Sequence, residues 1–336
     1  MNITKSFSLL SHYIAAFGPE LLLKKELSSW SDKYETAYIR AVEKKLVKDI
    51  VPQIHYCRRN EVGLRTVGET CPIWFMWWQG KDNAPDLVKA MWRNRLEYAG
   101  RHPVILIDKD NFASYTERSV HIYEYVKDGR ITITHFSDFL RMELLYRYGG
   151  IWTDASLFMT KKFDDWVKDS RLFTIKQGEI DVPGLHWRPS WSRKWTTYCL
   201  GGAAGEPLFG YVMDFLDAYW RRFDIVIDYL LTDRILNIAY QIIPDVHQSI
   251  DAIPESNPWI LSMALHMDDP AKSFPMYKDT SIYKLSWKDS HERLTADGQD
   301  TVYGSILRKY GRPFAVWCGW VCQVVTVLRS SLPQVR

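Results

Sequence analysis

The 336-residue sequence has none of the short motifs that identify several large enzyme classes. It contains no G-x-S-x-G nucleophile elbow, no P-loop and no G-x-G-x-x-G turn. The sequence therefore gives no support to a serine hydrolase, a P-loop nucleotidase or a classical dinucleotide-binding enzyme. A glycosidase needs two carboxylates across the scissile bond, and no spacing in the chain requires such a pair.

Cysteine and histidine are also too sparse and too scattered to form a metal-binding pattern. The five cysteines include no C-x-x-C pair, and the nine histidines include no H-E-x-x-H motif, so a zinc site is not expected. Residues 1–30 lack the pattern of a secretory signal because Pro19, Glu20, Lys24 and Lys25 interrupt the apolar stretches. An odd cysteine count without such a signal predicts buried, reduced thiols and a cytoplasmic location.

Neither charge nor hydrophobicity is concentrated in one part of the chain. The 43 Lys and Arg residues nearly balance 40 Asp and Glu residues, leaving a net charge of +3, so we expect no nucleic-acid partner. No apolar run reaches the roughly 18 residues of a membrane-spanning helix. The nearest approach, Pro313–Leu328, predicts a buried terminal helix or an interfacial one and leaves peripheral contact with a membrane open.

Aromatic residues are abundant, with 15 Trp and 19 Tyr. Their flat faces suit sugar rings and nucleobases, whereas core packing and a membrane-facing belt would account for most of them. A Trp- and Arg-rich loop is predicted at Trp187–Trp195.

The order of predicted elements indicates an α/β protein. Apolar positions at helical spacing predict helices over residues 1–50. Continuous apolar runs at 72–78 and 103–108, separated by a helical segment at Asp86–Tyr98, are typical of the opening of a parallel sheet.

In the second half of the chain, the apolar patterns that predict strands and helices are weaker. Strands are predicted at 172–175 and 196–200, and helices at Glu206–Phe223 and Ile225–Tyr240. The prolines between Pro244 and Pro275 predict irregular structure there.

The most informative segment runs from Ser137 to Ser156. A helix would place Asp138 and Arg141 on one face, and the helix leads into Gly149-Gly150. These glycines permit positive φ and leave room for a ligand beside the backbone. A short apolar strand then delivers Asp154, although taken singly such an acid is usually a turn former and such a pair usually a solvated surface contact.

The order and spacing of these residues resemble the S-D-x-L-R … Y-G-G-I-[WY]-x-D-x-[DST] signature of the capsular polysaccharide synthesis proteins, bacterial relatives of glycosyltransferase family 32. The resemblance implies an α/β, GT-A-like nucleotide-sugar-binding fold with a mostly parallel central sheet and helical extensions at both ends. We predict an N-terminal helical extension over 1–66, a catalytic domain over 67–290 and a C-terminal extension over 291–336 that is amphipathic or close to a membrane.

The same resemblance assigns a metal site. Asp154 would help to hold a divalent cation, Mn²⁺ or Mg²⁺, with Ser156 two positions on. Stricter relatives place Asp at both positions, so the hydroxyl of Ser156 replaces an expected carboxylate.

The remaining predicted site residues surround the donor and the acceptor. The resemblance implies catalytic roles for Asp138, Arg141 and Asp154. Donor contacts are predicted for Trp77, Trp78, Asp108, Asp138, Arg141, Gly149, Gly150, Lys284, Ser286 and Lys288. On the acceptor side are Asp228 and Asp233, which could touch the acceptor or the donor sugar, with an exposed helical acid as the favoured alternative for each. Core packing is an equal alternative for the two tryptophans, and a solvated strand edge is an equal alternative for the lysines.

The predicted function is transfer of a hexose or N-acetylhexosamine from a nucleotide-diphosphate sugar, a UDP-sugar by resemblance, to a polysaccharide or lipid-linked oligosaccharide with retention of configuration. The enzyme would act in the cytoplasm or on the inner face of the cell membrane. The alternative is a catalytically inactive glycan-binding or scaffolding member of a polysaccharide assembly complex. Ser156 and the loop Trp187–Trp195 keep that alternative open.

Overall fold

The computed structural model describes residues 3–54, 70–167, 172–177, 194–256, 261, 265, 280–289 and 291–311. The predicted terminal segment Pro313–Leu328 lies outside the described residues, as does the predicted loop Trp187–Trp195 except for its last two residues.

The described helices, in chain order, are α1 (Ile3–Phe17), α2 (Pro19–Leu27), α3 (Asp32–Asp49), α4 (Asp86–Tyr98), α5 (Arg118–Lys127), α6 (Ile133–Tyr148), α7 (Asp164–Val167), α8 (Pro207–Arg222), α9 (Leu231–Ile242), α10 (Pro244–Asp251) and α11 (Val302–Tyr310). The described strands are β1 (Ile73–Met76), β2 (Val104–Ile107), β3 (Gly150–Thr153), β4 (Leu157–Met159), β5 (Leu172–Thr174), β6 (Lys176–Gln177), β7 (Cys199–Gly202), β8 (Glu255–Ser256) and β9 (Ile282–Lys284).

The central sheet has five strands in the order β2-β1-β3-β7-β5. The pairs β1–β2 and β1–β3 are parallel, whereas β3–β7 and β5–β7 are antiparallel. The sheet is therefore mixed, and the prediction of a mostly parallel sheet holds only for its first three strands. Parallel neighbours need a crossover connection, such as the one that α4 provides between β1 and β2.

The parallel strands are buried as their apolar sequences predict. Trp74 in the centre of β1 is fully buried, and its indole donates a hydrogen bond to the carbonyl oxygen of Gly149 at 2.9 Å. Helix α6 is also buried on most of its surface, and its N-terminus is capped by the hydroxyl of Thr132, which accepts from the amide of His135. This burial fixes the helix that carries Asp138 and Arg141.

The N-terminal helices α1 to α3 agree with the predicted helical segment. They pack into the same hydrophobic cluster as α6, α8 and α9. The hydroxyls of Tyr13 and Tyr38 both donate to the carbonyl oxygen of Ile227, at 2.9 Å and 3.0 Å.

The predicted helix over Ile225–Tyr240 was wrong at its start, because helix α9 begins only at Leu231. Side-chain hydroxyls occupy the backbone groups that a helix would use. The hydroxyl of Tyr219 donates to the carbonyl oxygen of Ile225 and accepts from the amide of Ile227, both at 2.8 Å. The prediction of irregular structure after Pro244 was also wrong in part, since α10 and β8 form there.

A two-stranded antiparallel sheet joins β4 to β9 and aligns Leu157 with Lys284. It brings a segment near the C-terminal end of the described chain against the residues that follow β3. Within the described residues, no helix is both long and apolar enough to cross a membrane.

Candidate functional site

The double glycine turn between α6 and β3 has the predicted backbone conformation. Gly149 and Gly150 have φ values of +66° and +89°. A Cβ atom on Gly150 would lie 2.1 Å from the carbonyl oxygen of Pro72, and one on Gly149 would lie 2.6 Å from the amide nitrogen of Ala204. The close approach that requires glycine here is therefore made by protein backbone, and the expected room for a ligand is filled.

Three predicted site residues follow the parallel strands β1, β2 and β3. Trp77, Asp108 and Asp154 come directly after these strands, whose carboxyl ends lie on one edge of the sheet. Ligands of open α/β sheets bind at this edge. The structure thus brings together residues that are up to 77 positions apart.

Four side chains form what we call the charged cluster: Asp138, Arg141, Asp154 and Lys284. Arg141 Nη1 lies 3.0 Å from Asp138 Oδ1, and its Nη2 lies 3.5 Å from Asp154 Oδ1. Lys284 Nζ donates to Asp154 Oδ2 at 3.0 Å. The predicted pairing of Asp138 with Arg141 on one helix face is present, and both acids share the same guanidinium.

The side chain of Asp154 is fixed by several contacts but is partly exposed to solvent. Its Oδ1 also accepts a hydrogen bond from the indole of Trp152 at 3.0 Å, and 32% of the side chain is exposed. By contrast only 5% of the Arg141 side chain is exposed. Among the described residues, Arg141 Nε is buried without a hydrogen-bond partner. The cluster therefore exposes part of the Asp154 carboxylate to solvent, next to the buried guanidinium of Arg141.

The backbone beneath Asp154 is fixed by Arg95, a fully buried residue of α4. Its guanidinium donates to the Thr153 hydroxyl at 2.9 Å and to the carbonyl oxygens of Asp154 and Ala155. Burial lowers the pKa of Arg95 to about 9, so it stays protonated near neutral pH. Arg95 positions the strand end without touching the exposed side of the site.

The charges in the cluster respond differently to burial. Burial raises the pKa of Asp154, but Lys284 and Arg141 outweigh it, and the net effect lowers that pKa. Burial raises the pKa of Asp138 despite Arg141 and His135 nearby. Asp154 is therefore firmly ionised, while the site tolerates the charge of Asp138 less readily.

Helix α9 contributes two further groups. The hydroxyl of Thr232 donates to Asp138 Oδ2 at 3.0 Å. Asp233 lies close enough to Asp138 for the two charges to interact, and burial together with Asp138 raises the pKa of Asp233 to about 6. Of the two predicted acceptor-side acids, Asp233 thus lies next to the cluster.

Asp228 lies elsewhere. Its Oδ2 accepts from Arg234 Nε at 2.8 Å, its Oδ1 accepts from the amide of Leu230, and only 8% of its side chain is exposed. The ion pair belongs to the packing between α9 and the N-terminal helices. The structure therefore gives Asp228 contacts within the fold, and its predicted contact with an acceptor stays a prediction.

The two predicted tryptophans have different surroundings. Trp78 packs among the aromatic rings of Phe112, Tyr123 and Phe136, which is the core alternative. Trp77 makes an edge contact with Trp287, with ring centroids 5.2 Å apart, and its indole nitrogen is buried with no hydrogen-bond partner among the described residues. Of the two tryptophans, Trp77 is the one that contacts Trp287, and 43% of Trp287 is exposed. We call Trp77 and Trp287 the tryptophan pair.

Asp108, Ser286 and Lys288 lie outside the charged cluster. Asp108 Oδ1 accepts from the amides of Asp110 and Asn111, which makes it a turn former. Strand β9 ends at Lys284, the chain bends at residues 287–289, and exposed Lys288 lies beside Trp287. The predicted basic face of three alternating residues therefore contributes only Lys284 to the cluster.

The residues predicted to hold a divalent cation fit that role poorly. Both carboxylate oxygens of Asp154 already face cationic groups, and Ser156 is 4% exposed. The described residues contain no group of three His, Cys, Asp or Glu side chains placed to hold a metal ion. Hard cations such as Mg²⁺ need several oxygen ligands, and this donor set offers one engaged carboxylate.

Sequence reasoning missed three residues of the site: Arg95, Thr232 and Trp287. Arg95 occurs in a helix rich in charged residues and has no sequence signal that separates it from a surface arginine. Thr232 directly precedes the predicted Asp233, and Trp287 lies within the Tyr283–Lys288 segment that the resemblance had picked out. For Thr232 and Trp287, the available signal was their position next to predicted site residues.

Comparison with known proteins gives one family match. The sequence profile of the capsular polysaccharide synthesis protein family matches residues 20–306. Among solved structures, the PaToxG glycosyltransferase is similar at 13% identity and a TM-score of 0.41, over 66% of this chain and 82% of that one. A comparison with curated proteins finds no match. Because the profile covers most of the sequence, including the whole charged cluster, the chain belongs to the capsular polysaccharide synthesis protein family.

Proposed function

We propose that this protein is a GT-A-like glycosyltransferase that moves a hexosyl or N-acetylhexosaminyl group from a nucleotide-diphosphate sugar to a glycan acceptor. The observation that carries the proposal is the charged cluster at the carboxyl edge of the parallel strands. There, Arg141 and Lys284 converge on partly exposed Asp154. Family membership supports a role in capsule or surface polysaccharide synthesis.

The chemistry of the donor matches this arrangement. A nucleotide-diphosphate sugar carries two negative phosphates, and the leaving diphosphate gains charge as the glycosidic bond breaks. In support of this, Lys284 is partly exposed and can donate to phosphate oxygens, and the buried charge of Arg141 beside Asp154 adds to the positive potential of the site. The carboxylate of Asp138, held by Thr232, is placed to accept hydrogen bonds from sugar hydroxyls.

The tryptophan pair, Trp77 and Trp287, offers a place for the nucleobase. Trp77 and Trp287 lie beside the same strand edge, and Trp287 has an exposed ring face. Stacking on aromatic rings contributes about 1–3 kcal/mol per base in single-stranded nucleic-acid complexes, which is enough to orient a nucleotide. UDP is our first choice of nucleotide, with retention of anomeric configuration, as the family resemblance implies.

The test is turnover of a panel of nucleotide sugars by the wild type and by Asp154→Asn, with and without Mn²⁺. We expect slow donor hydrolysis or transfer by the wild type and a loss of about 10²–10³-fold in the variant, the range seen when a charge-stabilising group is removed. Asp214→Asn, in a half-exposed ion pair between α8 and Arg118, serves as the control and should retain activity.

A non-catalytic glycan-binding role is the second candidate. The observation in its favour is that both oxygens of Asp154 are engaged, while Trp287 offers an exposed ring for a sugar. If folded wild-type protein binds oligosaccharides but neither binds nor turns over any nucleotide sugar, this second candidate replaces the first.

A further inference from the structure

A lysine occupies the place where the metal of a nucleotide-sugar transferase would be expected. Lys284 Nζ lies 3.0 Å from Asp154 Oδ2, and the other oxygen, Oδ1, faces the indole of Trp152 and Arg141. A divalent ion bound to this carboxylate would have to displace the lysine or lie within a few ångströms of two cationic side chains. Like charges at such separations repel strongly in a partly buried site.

The lysine is held in this place by the fold. Lys284 ends β9 and is in register with Leu157 of β4, and its neighbour Leu285 is fully buried and donates its amide to the carbonyl oxygen of Ser156 at 3.1 Å. The ammonium also lies 4.9 Å from the ring centroid of Tyr198, a cation–π contact. Only 16% of the side chain is exposed.

The residue whose hydroxyl would complete a metal site is buried. Ser156 is 4% exposed, directly precedes β4, and its carbonyl oxygen accepts from the amide of Leu285 just after β9. The second acid of the cluster, Asp138, is engaged by Arg141 and Thr232. One carboxylate with two engaged oxygens does not provide the oxygen set that Mg²⁺ or Mn²⁺ needs.

We propose that Lys284 is the built-in cation of this site and that the transferase works without a divalent metal. This inference rests on the proposed function. Asp154 holds the ammonium group of Lys284 at the strand edge by a hydrogen bond, and Lys284 with Arg141 neutralises the donor diphosphate. An ammonium group has three N–H donors, and Asp154 is its one hydrogen-bond acceptor among the described residues.

The transfer step balances without a metal. The bond between the anomeric carbon and the diphosphate oxygen breaks, and its electron pair stays on that oxygen. The acceptor hydroxyl oxygen forms the new bond to the anomeric carbon, and its proton passes to solvent. The new negative charge on the diphosphate is the charge that Lys284 and Arg141 stabilise.

The first experiment measures nucleotide-sugar binding by calorimetry in excess chelator, then with Mn²⁺ or Mg²⁺. We expect the wild type to bind its donor in chelator, with an affinity that metal changes by less than about twofold. Lys284→Met should weaken donor binding in chelator by about 30-fold or more, the usual minimum for truncating one partner of a buried charge pair. Lys284→Arg keeps the charge and should retain most of the affinity.

The second experiment follows Mn²⁺ binding by electron paramagnetic resonance without any nucleotide. We expect no Mn²⁺ binding to the wild type, and Mn²⁺ binding there would overturn the role of Lys284 as the cation of the site. The matched control is Lys45→Met, which removes a lysine 2.9 Å from Asp49 in α3. It should leave donor affinity and Mn²⁺ binding unchanged.

The outcomes separate the two proposals. Donor binding by the wild type only when metal is added overturns the role of Lys284 as the cation and leaves the transferase assignment intact. Unchanged donor affinity in a folded Lys284→Met also overturns it. A wild type that binds no nucleotide sugar in either condition overturns both. If Lys284→Met does not fold, Lys284→Arg together with the wild-type measurements in chelator decides the question.

Discussion

Two buried contacts between arginine and aspartate lie in the same core, one at Arg234 and Asp228 and the other in the charged cluster. In the first, Asp228 is 8% exposed, and its two oxygens accept from Arg234 and from the amide of Leu230. In the second, one arginine serves two acids, a lysine is added from a distant strand, and Asp154 stays 32% exposed. The same residue types thus make one closed contact and one open contact.

The difference separates a structural role from a functional one. A closed ion pair keeps both of its charges buried, so a ligand cannot reach them. The open cluster leaves 32% of the Asp154 side chain and 16% of the Lys284 side chain exposed. A ligand can therefore reach these two charged groups in the folded protein. Changes to the closed pair should therefore affect folding, and changes to the open cluster should affect activity.

The largest expected effect comes from breaking the closed pair. Asp228→Ala leaves Arg234 buried without its carboxylate and should lower the free energy of unfolding by about 3–5 kcal/mol. Urea denaturation near neutral pH measures this effect. The control Asp214→Ala breaks a half-exposed pair with Arg118 and should cost about 1 kcal/mol or less. Equal losses in the two variants would contradict the distinction between closed and open contacts.

A change in the open cluster should show the reverse pattern. Asp138→Asn keeps an acceptor for Thr232 but removes the charge beside Arg141, and we expect transferase activity to fall about 10²-fold. Because burial raises the pKa of Asp138, its ionised form costs stability near neutral pH, and the neutral amide removes that cost. The free energy of unfolding should therefore change by less than about 1 kcal/mol. A loss of stability that accounts for the loss of activity would assign Asp138 to the fold.

Asp233 gives a smaller effect that depends on pH. Its pKa is raised to about 6 in the folded protein, mainly by burial and then by Asp138. A raised pKa of an acid means that its stabilising contribution is present at low pH and is lost as the pH rises through about 6.

Asp233→Asn should therefore stabilise the protein by about 1–2 kcal/mol near pH 7 and change little near pH 3.5, where wild-type Asp233 is protonated as well. Denaturation of wild type and variant at both pH values is the measurement. A variant less stable than wild type near pH 7 would show that Asp233 is paired as Asp228 is.

The smallest effect concerns the aromatic edge of the open cluster. Trp77→Phe removes a buried indole nitrogen without a hydrogen-bond partner among the described residues, so stability should change by under about 1 kcal/mol. Donor affinity should fall several-fold, because phenylalanine stacks less area on a base. Trp220→Phe is the matched control, since that indole nitrogen is also buried and without a partner among the described residues, but the ring packs in the core near His135. Equal donor affinities for the two variants would remove Trp77 from the site.

Local features of the site were predictable because short-range rules fix them. The glycine turn has its expected positive φ, and strands β1 and β3 fall where apolar runs placed them. The pairing of Asp138 with Arg141 follows from their spacing on α6. These three statements depend only on helix period, strand burial and glycine conformation.

Other features depend on contacts between distant parts of the chain. Lys284 and Asp154 are 130 residues apart, and no periodicity gives the register of β9 against β4. The start of α9 was missed because tyrosine hydroxyls take the backbone groups of Ile225 and Ile227. Arg95 is buried because three acceptors of the strand end surround it, which its helical sequence does not reveal.

The 130-residue separation between Asp154 and Lys284 has a consequence for biosynthesis. A ribosome completes α6 and β3 long before it reaches β9, so the emerging chain holds Asp154 and Arg141 without their lysine partner. Among the described strands β4 pairs with β9, so a strand synthesised much later both closes this two-stranded sheet and completes the charge balance of the cluster. A product terminated before β9 would thus leave Asp154 without its lysine, and under the proposed mechanism it would lack a cation for the donor diphosphate.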